Sequence, residues 1–265
     1  MAPNRARAIL LLAGIAIIAG GWTIAAAQFG PLRDPGKAPQ ARTQQELDQY
    51  LEILVAAEGD DRISAVEQFA SLYPDSALLG AAYQHQMLAY EAVNDAEGVL
   101  RAGRQALPLL PDNLQTLLTL SSTIPNTAGD GPDGIRLLEE ARGYARRALV
   151  MLEQFRVPRE FSLEESENMR GEMRARAHES LGHVAGKLGD WQTAVTEFQE
   201  AIHCAAAPQG RHYFRLGVAC AFLSKRDCAT AALEKAVELG PDGIRSRAQE
   251  QLSRLSGPPG ASITP

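Results

Sequence analysis

One pattern of small and large residues occurs twice in the C-terminal part of the chain, and it constrains the fold more than any other feature. Each member of the second copy lies 35 residues after its counterpart in the first. The markers are Leu181, Gly182, Ala194, Phe198 and Ala201 in the first copy, and Leu216, Gly217, Ala229, Leu233 and Ala236, followed by Pro241, in the second. Repetition at this period predicts helical units that stack, because one such unit cannot bury its apolar face alone.

The small residues of this pattern fall where two antiparallel helices would cross most closely. We expect Gly182 and Ala194 at the crossing within one unit, and Ala201 against the next unit. Pro241 has no amide hydrogen to donate, so it cannot continue a helix and marks the end of the second copy. The pattern therefore predicts a helix, a turn and a second helix in each copy.

With Gly189-Asp190-Trp191 following the Leu-Gly pair, the two copies resemble tetratricopeptide repeats, which are helix–turn–helix units of 34 residues. The first copy departs from that pattern at His178, where a bulky residue is usual, and at Ala206, where the junction proline is missing. The resemblance implies an all-α fold, a right-handed superhelical solenoid of antiparallel helix pairs. It implies about five repeats after an N-terminal apolar segment.

The same spacing places the remaining repeats and the ends of the solenoid. The repeats are predicted near residues 43–77, 79–112, 114–155, 163–208 and 210–243, with a capping helix at 244–255 and a disordered tail at 256–265. In the third repeat, the turn-rich stretch from Pro125 to Gly134 predicts an interruption after a short first helix. In the fourth, Ser162 and Glu165 form a capping box that predicts a long helix to about Leu188. That extra length is either a solvated extension or a lip for a partner.

The N-terminal segment predicts export. Arg5 and Arg7 precede residues 8–27, which carry no charged side chain and are just long enough to span a bilayer as a helix. The same segment ends in three alanines, an ending typical of a signal peptide cleaved after Ala27. Residues 1–27 are therefore a signal peptide or a transmembrane anchor, and residues 28–42 are a Pro/Gly linker. In either case the repeats lie outside the cytoplasm, anchored in the inner membrane or free in the periplasm or medium.

Composition and cysteine content exclude some classes of function. The net charge is −6, and no basic run occurs beyond the first residues, so nucleic-acid binding has no support. Cys204, Cys220 and Cys228 are the only cysteines. Cys220 and Cys228 would face each other across one turn and could form a disulfide in an exported chain, but we favour small apolar residues that fill helix contacts.

No constellation in the sequence indicates catalysis or a cofactor. His178 and His183 nearly match a zinc-binding helix, but they are five residues apart where that motif requires four. Gly182 to Lys187 is one residue too short for a phosphate-binding loop and ends without the required hydroxyl. Asp130 and Asp133 are too few for a calcium loop. The sequence therefore predicts no catalytic residue, no metal site, no cofactor and no small-molecule substrate.

The resemblance implies a groove lined by the first helix of each repeat. Its side chains would be Gln84, Leu88 and Glu91 in the second repeat, Arg176, Glu179 and His183 in the fourth, and Arg211, Phe214 and Val218 in the fifth. Such a lining suits a peptide or a partner helix. We expect a non-catalytic adaptor for protein partners of the cell envelope, with membrane contact through residues 8–27 if they are retained. The alternatives are a periplasmic holding chaperone for unfolded exported chains, such as apocytochromes, and a metal-dependent enzyme.

Overall fold

In the computed structural model, which describes residues 39–155 and 161–256, the chain is all-helical. The described residues form eleven helices and no strand, and together they confirm the predicted all-α solenoid. The helices are α1 (Gln44–Val55), α2 (Asp60–Leu72), α3 (Leu79–Ala92), α4 (Ala96–Leu109), α5 (Leu114–Thr127), α6 (Pro132–Gln154), α7 (Leu163–Lys187), α8 (Trp191–Cys204), α9 (Gly210–Phe222), α10 (Arg226–Leu239) and α11 (Asp242–Ser256). They form five successive pairs, and α11 packs on the last pair.

Three predicted segments fall wholly or largely outside this part of the chain. The signal or anchor at residues 1–27, most of the linker and all but one residue of the predicted tail are not among the described residues. No described helix has the length and apolar character needed to cross a membrane.

The turn inside three of the pairs has the same backbone conformation, and the residue type explains it at two of them, Asn94 and Gly189. Asn94, Gly189 and Ser224 each have a positive φ, of 59°, 79° and 58°. Glycine adopts this left-handed region without strain, and asparagine tolerates it better than most residues. The next residue then begins the second helix; Asp95 and Asp190 cap it by accepting from the amides of Gly98 and Thr193. These turns bring the two helices of a pair together.

Close approach within a pair depends on glycine, as the sequence pattern indicates. A Cβ atom on Gly182 would lie 2.6 Å from the ring of Phe198, and one on Gly217 would lie 2.6 Å from the Leu233 side chain. Ala194 and Ala229 are fully buried on the facing helices. The large residue of each copy therefore occupies the space that the missing side chain leaves.

The third pair differs from the prediction. Helix α5 continues through Pro125 to Thr127, and only four residues separate it from α6. The predicted interruption is therefore present, but it covers only residues 128–131, and its predicted bounds, Pro125 and Gly134, are wrong. Pro125 sits in the last turn, where a missing amide costs one hydrogen bond, and its side chain is buried. Pro132 occupies the first turn of α6, a position where proline is favourable. Helix α6 is 23 residues long, so the extra length of this repeat lies mostly in its second helix.

Helix α7 has the predicted length and start. The Ser162 hydroxyl accepts from the Glu165 amide at 3.2 Å, and the Glu165 carboxylate accepts from the Ser162 amide at 2.8 Å, which confirms the capping box. The middle of the helix supports the next loop, because Glu172 accepts from the Ala206 amide at 2.9 Å. Gly171 lets the carbonyl of Cys204 approach closely. Only the first turns of α7 are largely exposed.

The cysteines of the last pair are bonded to each other. Cys220 near the end of α9 and Cys228 at the start of α10 form a disulfide, with their Cα atoms 5.8 Å apart. The interpretation of these two as separate apolar side chains is therefore wrong. The turn at Ser224 brings the two cysteines together. Their spacing in the sequence does not by itself determine whether they are bonded. Cys204 is a free, partly buried thiol.

A buried histidine makes the N-terminal pairs sensitive to acid. His85 in α3 is 5% exposed, and its ring lies edge-on to Tyr50 at 6.4 Å between centroids. Burial, with a smaller contribution from Arg62, lowers the pKa of His85 to about 4. The unfolded chain binds this proton near pH 6.5, well above the pKa of the folded protein. The contribution of neutral His85 to stability is therefore fully present above pH 6.5 and is lost as the pH falls towards 4.

We expect His85→Phe to remove this part of the pH dependence. The wild-type chain should lose about 1 kcal/mol more than the variant between pH 7 and about pH 5.5, since one titrating group sets that difference. Urea unfolding at the two pH values measures it. An equal loss in both proteins would show that His85 takes up its proton as readily in the folded protein as in the unfolded chain, which would contradict the lowered pKa.

Candidate binding surface

The first helices of the pairs line one side of the solenoid, which we call the inner face. Helices α1 and α3, α5 and α7, and α9 and α11 contact one another directly, although each belongs to a different pair. Among the described residues, the backbones of α2, α4, α6, α8 and α10 come less close to one another. In a curved solenoid, the row of helices that lie closer to one another is on the inside of the curve. The inner face therefore belongs to α3, α5, α7 and α9, with α11 at its end.

Arg176 of α7 ties three pairs together on this face. Its guanidinium donates to Glu91 of α3 at 2.9 Å and to the hydroxyls of Thr119 and Ser122 of α5 at 3.1 and 3.2 Å. Behind it, the buried hydroxyl of Ser121 donates to Ser180 at 3.3 Å. The charges of this half of the inner face are thus paired within the chain.

We expect Arg176→Met to lower the free energy of unfolding by about 1 kcal/mol, because a partly exposed ion pair and two hydrogen bonds are lost while the aliphatic stem remains. Urea unfolding measures the change. The matched control is Arg136→Met, whose pair with Asp133 is largely exposed and which should change stability by less than about 0.5 kcal/mol. Equal changes in the free energy of unfolding in the two variants would contradict a stabilising role for the contacts of Arg176 with α3 and α5.

The other half of the inner face carries an arginine cluster, which we define as Arg211, Arg215 and Arg247. Glu179 of α7 faces two of its members, with an oxygen 3.6 Å from Nε of Arg215 and 3.7 Å from Nε of Arg211. The guanidinium of Arg247 in α11 lies over the ring of Phe214 at 4.6 Å. The Glu179 side chain is only 12% exposed. One largely buried carboxylate therefore serves as the counter-charge for Arg211 and Arg215.

Several basic side chains in this half of the inner face have a lowered pKa, mainly because they are buried. Burial lowers the pKa of Arg215, against the opposing effect of Glu179. Burial, Arg215 and Lys187 lower the pKa of His183 to about 4, so that its imidazole is neutral at about pH 7. Burial also lowers the pKa of His212, whose Nδ1 accepts from the Gln209 amide. The positive charge on this surface thus belongs to the arginines and to Lys187.

Solved structures include chains of similar fold. The crystal structure of TTC0263, a thermophilic TPR protein from Thermus thermophilus, has a TM-score of 0.51 and 18% sequence identity over 73% of this chain and 90% of its own. The fold is a tetratricopeptide-repeat (TPR) solenoid. The MamA protein (TM-score 0.44, 19% identity, 66% of this chain and 89% of its own) and PilW, a type IV pilus biogenesis factor (0.42, 13%, 80% and 99%), are also similar. No protein-family model and no curated sequence matches the chain.

The TPR register shows which predicted groove side chains are free and which are covered. Gln84, Glu179 and Phe214 occupy equivalent positions, and all three are largely buried. The following first helix covers two of them: Asn113 at the start of α5 donates to Gln84 at 2.6 Å, and α11 packs on Phe214. The prediction that Gln84 and Phe214 line an open groove is therefore wrong.

The remaining predicted residues have different surroundings. Arg211 is exposed, Leu88, His183 and Val218 are partly buried, and Glu91 and Arg176 pair with each other. Sequence reasoning missed Arg215 and Arg247. Arg215 lies one helical turn after Arg211, a signal that could have found it. Arg247 belongs to the capping helix, which was not considered part of the surface.

The two histidines of the rejected zinc motif have separate neighbours. Nδ1 of His178 lies 2.8 Å from a carboxylate oxygen of Glu197 in α8, whereas His183 lies beside Arg215 and Lys187. Within residues 39–155 and 161–256, no three His, Cys, Asp or Glu side chains come close enough to hold a metal ion.

Proposed function

We propose that this TPR protein is a non-catalytic scaffold that binds a segment of another protein along its inner face. The observation that carries the proposal is a row of exposed or partly exposed charged side chains on the inner face: Arg176 and Lys187 of α7, Arg211 and Arg215 of α9, and Arg247 of α11. A TPR solenoid shares its core between units and leaves an extended inner surface, which suits a peptide or a partner helix.

We also propose that the solenoid works outside the cytoplasm, with partners in the cell envelope. Two features support this: the uncharged apolar stretch at residues 8–27, and the disulfide between Cys220 and Cys228. Structural disulfides persist in oxidising compartments and are rare in the cytosol. Retention as an inner-membrane anchor and cleavage after Ala27 are both consistent with these features. Mass spectrometry of the protein purified from cells distinguishes them by the N-terminal residue.

The charged inner face favours a specific scaffold over a holding chaperone. A chaperone for unfolded chains, such as apocytochromes, needs a continuous apolar surface, whereas in the described part of the chain no exposed large apolar side chain lies on α3, α5, α9 or α11 of the inner face. The exposed ones include Val55 of α1, Ile135 of α6 and Leu163 of α7. The metal-dependent enzyme has no such support, and metal analysis of the purified protein tests it.

Site-specific photo-crosslinking in intact cells tests the scaffold. We expect a photoreactive residue at Lys187 or Arg211, on the inner face, to form a discrete crosslinked product. The matched positions are Ile135 and Val150, which are exposed on the second helix α6. Products of equal intensity from α6, or none from the inner face, would contradict the proposal.

A further inference from the structure

We propose that the C-terminal half of the inner face binds an acidic, extended segment of the partner protein through the arginine cluster. This inference rests on the proposed scaffold function and specifies the chemistry of its ligand. It follows from three features of the surface: unused donors, a local excess of positive charge, and the lack of an acidic segment of this chain to fill it.

The arginine cluster presents donors that the chain itself does not use. Arg211 and Arg215 have side chains that are 53% and 34% exposed, and both approach Glu179 through Nε. Nε of Arg211 also donates to Nε2 of His212 at 3.4 Å. Throughout the described residues, no acceptor lies within hydrogen-bond distance of the terminal nitrogens of these two or of Arg247. The guanidinium of Arg247 lies over the ring of Phe214, and in the described part of the chain no carboxylate forms an ion pair with it. A planar fork of this kind matches a carboxylate.

The charge of this region is opposite to that of the whole chain. The protein carries a net charge of −6, yet in the described part of the chain Glu179 is the only carboxylate that forms an ion pair with the arginine cluster, and Lys187 adds a further positive charge nearby. In the other half of the inner face, Arg176 and Glu91 neutralise each other. A partner would therefore be oriented, with its acidic part against α9 and α11. Such complementarity governs specificity and the rate of association.

The chain's own terminal segments do not suit this surface. Residues 1–38 contain four basic side chains and one acidic side chain, Asp34, and residues 257–265 contain no acidic side chain. A nucleic acid would also offer anions, but the net charge of the chain opposes binding of a long polyanion. An acidic segment of another protein is the occupant that fits.

Selection from a random peptide library on the purified full-length protein tests this inference. We expect the enriched peptides to be rich in aspartate and glutamate. Their affinity, measured by fluorescence anisotropy, should fall about tenfold in R211Q/R247Q, because two charge-assisted contacts are lost. The matched control is R146Q/R226Q, which removes the same charge from exposed positions on the second helices α6 and α10 and should bind as the wild type does. Circular dichroism establishes that both variants are folded.

A charge-reversed variant keeps the test decisive if R211Q/R247Q is unstable. R211E/R247E should lose the acidic peptides and gain affinity for versions in which lysine replaces each acidic residue. Enrichment of peptides without acidic residues, or competition by an oligonucleotide as strong as that by an acidic peptide, would overturn the inference and leave the scaffold in place. If no peptide is enriched and none binds, the scaffold itself fails.

Discussion

Replacing Gly210 with alanine should lower the free energy of unfolding by about 3 kcal/mol, at the upper end for overpacking. Gly210 begins α9, and a Cβ atom there would collide with the Cα and N atoms of Gly240, which ends α10. It would also lie 2.9 Å from the carbonyl carbon of Leu239. Backbone atoms cannot rotate aside as a side chain can, so the two helices must separate. Urea unfolding followed by circular dichroism measures the loss.

Gly143 offers a matched control of opposite sign. It lies in the middle of α6, it is not buried, and no atom would lie within 4 Å of an added Cβ. Gly143→Ala should therefore stabilise the protein by about 0.5–1 kcal/mol, because alanine favours the helical conformation more than glycine does. A comparable loss in both variants would contradict the close packing of α9 against α10.

Reduction of the disulfide should cost about 2–3 kcal/mol of stability, because opening a closed loop restores conformational freedom to the unfolded chain. The loop is short, with Cys220 and Cys228 separated by 8 residues. The fully buried Cys220 also lies in the core shared by α8, α9 and α10. Opening the disulfide therefore weakens the packing of that core as well. Unfolding in urea with and without dithiothreitol measures the difference.

The variant Cys220→Ala/Cys228→Ala is the control for reduction. Its stability should not depend on dithiothreitol, and it should resemble that of the reduced wild type. Thiol titration of the unfolded, oxidised wild type should detect Cys204 alone, because the other two are bonded. Three titrating thiols, or an equal response of the variant to reductant, would contradict the disulfide.

The helix pairs could be predicted from the sequence because their signals are local. Glycine and alanine at the crossing report on contacts within one pair, and a period of 35 residues reveals them twice. Gly189 marks the turn in the first copy only, because Ser224 takes its place in the second. Pro125 misled the prediction because its effect depends on its place in the helix. In the last turn of α5 it costs little, and only the structure shows where that turn lies.

The binding surface could be predicted only in part, because exposure is decided between pairs. Gln84 and Phe214 have the spacing of groove residues, but the next first helix covers them. The arginine cluster joins Arg211 and Arg215 to Arg247, which follows in another helix after the whole of α10. Similarly, Arg176 reaches Glu91 across 85 residues of sequence. Pattern within one helix carries no information about such contacts.

Hydrogen–deuterium exchange with and without a selected peptide tests the central claim most directly, namely that the inner face of the stacked helix pairs binds the partner. We predict slower exchange in α7, α9 and α11 when the peptide is bound, with α6 and α10 unchanged at their exposed positions. Protection confined to α6, α8 and α10, or no protection in any helix under saturating peptide, would contradict it.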